Sequence, residues 1–240
     1  VQAQTITVGT KRHTESRLLG EIIAQAIEKN TNLQVDRRFG LGGTLICFEA
    51  ITSGEIDLYP EYTGTAWLAI LNRDNVRLDK EQLFHKVDST FQSEFDLKWT
   101  PPFGFNNTYA FAVPKHFKLN TISDLQKHPT IKAGFSHEFL NRPDGLPGIE
   151  DRYDLTLNNV TGMDHGLVYR AIESGSIELT DAYSTDGQLV RFNLKLLEDD
   201  RSFFPPYYAS PVVRKSILNN HPQLRKVLYR LGGTLNDSLM

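Results

Sequence analysis

Apolar residues recur along this chain at two spacings, and each spacing predicts an element. Residues 6–9 form a short apolar run that predicts a buried strand. Behind it, Leu18, Leu19, Ile22, Ile23, Ala26 and Ile27 recur at helical spacing, with Thr14 placed to cap the helix they define. Residues 33–39 predict a second strand. A glycine-rich turn, GLGGT at 40–44, leads into a helix over 45–53 and a strand at 56–58. This β-α-β-α-β order predicts a mostly parallel sheet with helices on its faces. A helix over 81–95 follows, and PPFGFNN at 101–107 breaks the pattern. From Tyr109 the alternation restarts. TYAFAVP predicts a strand closed by proline, Thr121 a short capped helix, and 131–135 a strand. Residues 136–148 carry Pro and Gly that predict a loop. A helix over 167–174, strands at 177–179 and 194–198, an extended proline-bearing stretch at 203–214 and a helix over 221–231 complete the chain.

One pattern is written twice. Residues 50–62 read AITSGEIDLYPEY and residues 171–183 read AIESGSIELTDAY. Ala, Ile, Ser, Gly, Ile, Leu and the closing Tyr agree without a gap. Each copy reads as a helix end, a glycine suited to the left-handed C-cap, a short strand and a loop ending in tyrosine. Tyr62 and Tyr183 therefore hold equivalent places in two similar halves. The proline-rich, aromatic stretches at 101–108 and 204–211 flank the second half. They predict a second lobe, residues 106–208, inserted into a first lobe made of 1–105 and 209–240. Two crossing segments would form a hinge closing on a ligand.

Composition narrows the class. The chain has 240 residues, 40% hydrophobic and 23% charged, with net charge −3. It carries enough apolar material for a sizeable core and no basic cluster for nucleic acid. The one cysteine, Cys47, excludes an intrachain disulfide and a cysteine-rich zinc site. No apolar run approaches the roughly 20 residues that span a bilayer. The abrupt start and finish suggest an excised domain or mature fragment.

The candidate chemistry is aromatic. Ligands of open α/β sheets bind beyond the carboxyl ends of strands, where the predicted strands put Tyr62 and Tyr183. Tyr109 stands beside one crossing, and Tyr207 and Tyr208 beside the other. Ring faces attract a methylated ammonium with about 0.5–2 kcal/mol each, so four would support micromolar binding. The plainer alternative is that these tyrosines only fill the core or the surface. GLGGT matches neither the dinucleotide nor the Walker pattern and reads as a tight strand-to-helix turn. His13, His137 and His165 fall in predicted loops and read as solvated. Glu198, Asp199 and Asp200 read as a solvated strand end. Nothing assembles a nucleophile, a base and an orienter, so no enzyme is expected, and no cofactor or metal.

Six stretches in order carry a resemblance: GTKRHTES at 9–16, GEIDLYPEYTGT at 54–65, FNNTYAFAVPK at 105–115, HEFLNRPDG at 137–145, YSTDG at 183–187 and LEDDRSFFPPYYASPVVR at 197–214. Together they resemble the substrate-binding proteins of ABC importers for glycine betaine, choline and carnitine. The resemblance implies a two-lobed periplasmic-binding-protein fold of type II. It implies a tyrosine cage for a quaternary ammonium compound at Tyr62, Tyr109, Tyr183 and Tyr207. It also implies a carboxylate end held by Thr65, Lys11 and Arg142.

Asn107 stands where some relatives place an aspartate, and His13 where relatives often carry an aromatic residue. His13 either touches a larger ligand, such as the imidazole-bearing betaine ergothioneine, or only caps its loop. Asp186 is the second-half counterpart of Thr65, which places the carboxylate nearer the first half. The implied partners are the small-molecule ligand and an ABC permease subunit, with no nucleic acid. The implied location is periplasmic or extracytoplasmic, free, membrane-anchored or fused to the permease. An osmoprotectant or ergothioneine importer and a ligand sensor on the same fold are the readings left open. The family also implies a C-terminal element beyond residue 240.

Overall fold

The computed structural model describes residues 5–74, 78–236 and 239–240. The chain runs β1 (Thr5–Lys11), α1 (Thr14–Asn30), β2 (Gln34–Gly42), α2 (Thr44–Ser53), β3 (Leu58–Tyr62), a helical turn α3 (Thr63–Thr65) that widens into a π-turn (Ala66–Ile70), α4 (Lys80–Glu94) and β4 (Leu97–Trp99). It continues with β5 (Tyr109–Pro114), a 3-10 turn (Ile122–Lys127), β6 (Ala133–Ser136), α5 (His137–Asn141), α6 (Leu146–Tyr153), β7 (Val160–Met163), α7 (His165–Glu173), β8 (Leu179–Tyr183), α8 (Gln188–Arg191) and β9 (Leu194–Leu196). It closes with β10 (Ala209–Arg214), α9 (Lys215–Asn220) and α10 (Pro222–Arg230). The described chain divides into two compact units. One is drawn from residues up to Arg73, Leu78–Asn106 and Pro206–Leu239, the other chiefly from Asn107–Pro205.

The first unit holds a five-stranded sheet in the order β2-β1-β3-β10-β4. β1 runs parallel to β2 and β3, while β10 runs antiparallel to β3 and β4. α1 buries Leu19, Ile23 and Ile27 of the predicted stripe together with Ala24 outside it, and leaves Leu18 half exposed. Ile51, Tyr59, Leu83, Val87, Phe91 and Trp99 form a core in this unit. α4 starts from Asp79, whose carboxylate accepts from Glu81 N and Gln82 N while Gln82 returns a bond to the cap backbone.

The second unit repeats the plan. Its sheet runs β7-β6-β8-β5-β9, with β6 parallel to β7 and β8, and β5 antiparallel to β8 and β9. Val168, Tyr169, Ile172, Ala182 and Leu194 pack in its core.

The written-twice pattern is the hub of each sheet. Gly54 and Gly175 both take positive φ, 84° and 72°, as a left-handed cap requires. Ile56 N donates to Ala50 O at 3.2 Å, and Ile177 N to Ala171 O at 3.3 Å. An acid shared by the two copies binds the start of the neighbouring strand in both. Asp57 Oδ2 accepts from Thr7 N at 2.8 Å, and Glu178 Oε2 from Lys132 N at 3.0 Å.

Several expected boundaries move. The strands predicted to end at Leu58 and Leu179 begin there and run to Tyr62 and Tyr183. Antiparallel partners β10 and β5 carry them through polar and proline positions. Pro60 lies opposite Pro211. Pro211 O accepts from Thr100 N on the β4 side, so neither proline removes a donor from the β3–β10 seam. The predicted GLGGT turn is mostly strand, since β2 runs to Gly42 and only Gly43 separates it from α2. Thr14 is the first helical residue of α1, and the cap is His13, whose Nδ1 accepts from Ser16 N at 3.3 Å. The predicted loop 136–148 holds α5 and the start of α6. Ser136 Oγ caps α5 by accepting from Phe139 N, and Pro147 sits in the first turn of α6.

Candidate functional site

In the first unit, β1 and β3 pair in parallel and end at Lys11 and Tyr62, which brings these two side chains together. Lys11 Nζ lies 5.3 Å from the centre of the Tyr62 ring, within cation–π range. The same ammonium donates to Glu61 Oε1 at 2.6 Å and to Thr44 Oγ1 at 2.9 Å. Glu61 is fully buried. Its Oε1 also accepts from Tyr62 N at 2.8 Å, and its Oε2 accepts from the Tyr59 hydroxyl at 3.3 Å. The Tyr62 hydroxyl donates to Glu15 Oε1 at 2.5 Å, and the His13 ring lies 6.1 Å from the Tyr62 ring.

The stretch after β3 seats Tyr207. Thr63 N donates to Tyr208 O, Tyr208 N to Thr63 Oγ1, and Thr63 Oγ1 to Pro206 O, while Tyr207 N donates to Asn106 Oδ1 at 2.7 Å. A methyl group at Gly64 would stand 2.7 Å from the Tyr207 ring and 3.0 Å from Pro206 O. Gly64 is therefore the residue that lets the ring lie on the turn. Thr65 is buried in that same turn.

The second unit brings Tyr109 and Tyr183 together directly. They are register partners across β5 and β8. Their ring centres lie 5.0 Å apart and their hydroxyls 3.4 Å apart. Phe139 and Phe204 flank Tyr109 at 5.4 and 6.3 Å. Burial raises both phenol pKa values, so both rings stay neutral at physiological pH. Arg142 Cζ lies 5.4 Å from the Tyr109 ring centre, and its guanidinium grips Asp144 through two bonds, at 2.7 and 2.5 Å. Asn107 is buried just before β5. Behind Tyr183 stands His165, with ring centres 4.9 Å apart. Asp186, the counterpart of Thr65, accepts from the Tyr169 hydroxyl at 2.5 Å and from Gln188 N at 2.9 Å.

Within each unit the expected residues do meet: Lys11 and His13 at Tyr62, Thr65 one turn beyond it, and Arg142 at Tyr109. The partners missed in the sequence are the carboxylates. Glu61 and Asp144 give Lys11 and Arg142 each a buried counter-charge. Asp144 stands in NRPDG and Glu61 in PEYTGT, and neither stretch marks its carboxylate as the counter-charge. His165, expected to be solvated, is mostly buried between two acids. Among the described residues no cluster of His, Cys, Asp and Glu is arranged to hold a metal ion. No helix among them is long and apolar enough to cross a membrane.

Comparison with known proteins places this geometry. Residues 4–240 match the family model described as the substrate binding domain of ABC-type glycine betaine transport systems. The chain is 35% identical over its whole length to the ergothioneine transport permease/ergothioneine binding protein EgtU of Helicobacter pylori, of which it spans 44%. Over 98% of its length it is 34% identical to the carnitine transport binding protein OpuCC of Listeria monocytogenes, covering 79% of that protein. The crystal structure of a glycine betaine/carnitine/choline ABC transporter superposes with a TM-score of 0.80 at 30% identity, covering 98% of this chain and 89% of the other. These relatives are transport and binding proteins rather than enzymes. The chain belongs to the family of substrate-binding domains of ABC-type glycine betaine transport systems.

Proposed function

We propose that this chain captures a quaternary ammonium compound for an ABC importer, holding the ammonium among Tyr62, Tyr109, Tyr183 and Tyr207. Glycine betaine, choline, carnitine and related betaines are the ligand class. The observation that carries this reading is the paired Tyr109 and Tyr183, two neutral rings 5.0 Å apart and walled by Phe139 and Phe204. Such faces attract a cation that cannot donate a hydrogen bond. Thr65, Lys11 and Arg142 are the polar groups for the other end of a zwitterion, and the Asn107 amide oxygen is the group at the cage edge that faces the ammonium. Lys11 and Arg142 act there with Glu61 and Asp144 attached. The chain acts outside the cytoplasm, free, membrane-anchored or fused to the permease, and delivers its ligand to that permease.

The similarity to EgtU supports a second reading, ergothioneine, whose ring His13 would meet at Tyr62. Calorimetric titration with choline, glycine betaine, carnitine and ergothioneine tests both. The proposal expects one of them to bind with micromolar affinity or better, and Tyr62→Ala and Tyr183→Ala each to weaken it at least tenfold. Binding of none of the four would refute it.

A further inference from the structure

Each of three cage tyrosines has a basic residue at its side that brings its own carboxylate. Tyr62 has Lys11 with Glu61, and Tyr109 has Arg142 with Asp144. At Tyr183 the place is taken by His165, the first residue of α7. Its Nδ1 stands 3.6 Å from Asp181 Oδ2 and its Nε2 3.6 Å from Asp186 Oδ2. At 3.6 Å each contact is a charge pairing rather than a hydrogen bond, and an acid facing each ring nitrogen matches the one form of imidazole with two N–H groups, the cation. Both acids are fixed by other bonds. Asp181 is fully buried and accepts from Ser136 N at 2.7 Å and Ser136 Oγ at 2.6 Å, and Asp186 is held by Tyr169 and Gln188. The imidazole is therefore set in a rigid frame, with Tyr183 against one side and Tyr169 against another at 5.6 Å.

We propose that His165, as an imidazolium clasped between Asp181 and Asp186, is the positioning residue that fixes the Tyr183 ring for the ligand's ammonium. The inference rests on the cage reading above and adds a residue and a protonation state to it. The charged groups facing His165 are Asp181 on β8 and Asp186 in the turn beyond it. Asp164 precedes it on its own helix, and Tyr169 and Tyr183 present neutral phenols. Glu138 of α5 also acts on Tyr183. Burial and the positive end of α7 oppose the imidazolium. The two carboxylates outweigh burial, and the pKa is pushed up to about 9. The cation therefore persists at neutral pH and is lost as pH rises through about 9, when Tyr183 loses its support. The Tyr109 and Tyr183 phenols, raised by burial, do not ionise in that window.

Calorimetric titration of choline, glycine betaine, carnitine and ergothioneine into the full chain, repeated from pH 7 to pH 10, tests this. His165→Gln should weaken binding at pH 7 about tenfold, the scale of one misplaced ring contact. The unmodified protein should lose affinity as pH rises through about 9, and His165→Gln should abolish that loss. His165→Arg, which keeps the charge, should bind near normally and stay flat to pH 10. Equal affinities and parallel pH curves for the unmodified protein and His165→Gln would overturn the inference. NMR of the histidine-labelled protein without ligand decides independently. One imidazole, in contact with the Tyr183 ring, should remain protonated to about pH 9, and its titration near the ordinary value would overturn the inference. If none of the four compounds binds, the cage reading fails while the NMR result still stands or falls alone.

Discussion

Replacing Glu61 with leucine should unfold the first unit's site from within. Glu61 is 0% exposed and Lys11 6%, so the pair has little water to fall back on. Glu61→Leu strands the Lys11 ammonium with Thr44 as its one remaining partner among the bonds described above, and takes the acceptor from Tyr62 N. Removing one member of a buried ion pair costs about 3–5 kcal/mol. At about 2–4 °C per kcal/mol for a chain of this size, the midpoint should fall by at least 6 °C. Lys11→Met combined with Glu61→Leu removes both charges and should recover part of the loss, the remainder being the bonds that Glu61 also accepts from Tyr62 N and the Tyr59 hydroxyl, about 1–3 kcal/mol. Thermal unfolding followed by circular dichroism at pH 7, across the two single variants and the double, measures the coupling. A Glu61→Leu midpoint within 2 °C of the parent, or a double variant no better than that single, would refute the argument that the buried Lys11 depends on Glu61 as its counter-charge.

Gly64→Ala should press a methyl group into the Tyr207 ring and destabilise the protein by about 1–3 kcal/mol, read as a lowered urea midpoint. Ser136→Ala removes both the cap of α5 and a hydroxyl bond to Asp181, and should cost about 1–2 kcal/mol in the same assay. Ligand-free stability should depend on pH through His165. Its folded pKa of about 9 lies above the ordinary 6.5, so its contribution is complete below pH 6.5 and is lost as pH rises to 9. Urea midpoints of the parent should fall over that interval, and those of His165→Gln should not share that part of the fall.

The large features of the fold were legible because they repeat. The apolar stripe of α1, the glycines at 54 and 175 and the closing tyrosines each follow a local rule that the three-dimensional structure obeys. What failed locally was decided by distant partners. Tyr59–Tyr62 and Thr180–Tyr183 do not look like strand sequence, yet β10 and β5 pair along them. The short helices α5 and α9 have too few residues to show a period. At the site, aromatic positions could be read from the pattern and the family resemblance, but the carboxylates could not. Glu61 meets Lys11 across a separation of 50 residues, and Ser136 meets Asp181 across 45, distances at which no spacing rule operates.

The two sheets share one spatial order but not one chain order. The antiparallel strand comes last in the first unit, as β10, and first in the second, as β5. Each follows directly on the other unit's edge strand, β4 leading into β5 and β9 into β10. The two halves of the sequence are thus related as partners in a strand swap, fused end to end. A cut between β5 and β6 would leave two fragments, each carrying the strand that completes the other's sheet. Neither fragment should fold alone, and mixing them should restore both sheets together. The covalent order of the chain makes the folding of the two units a reciprocal event.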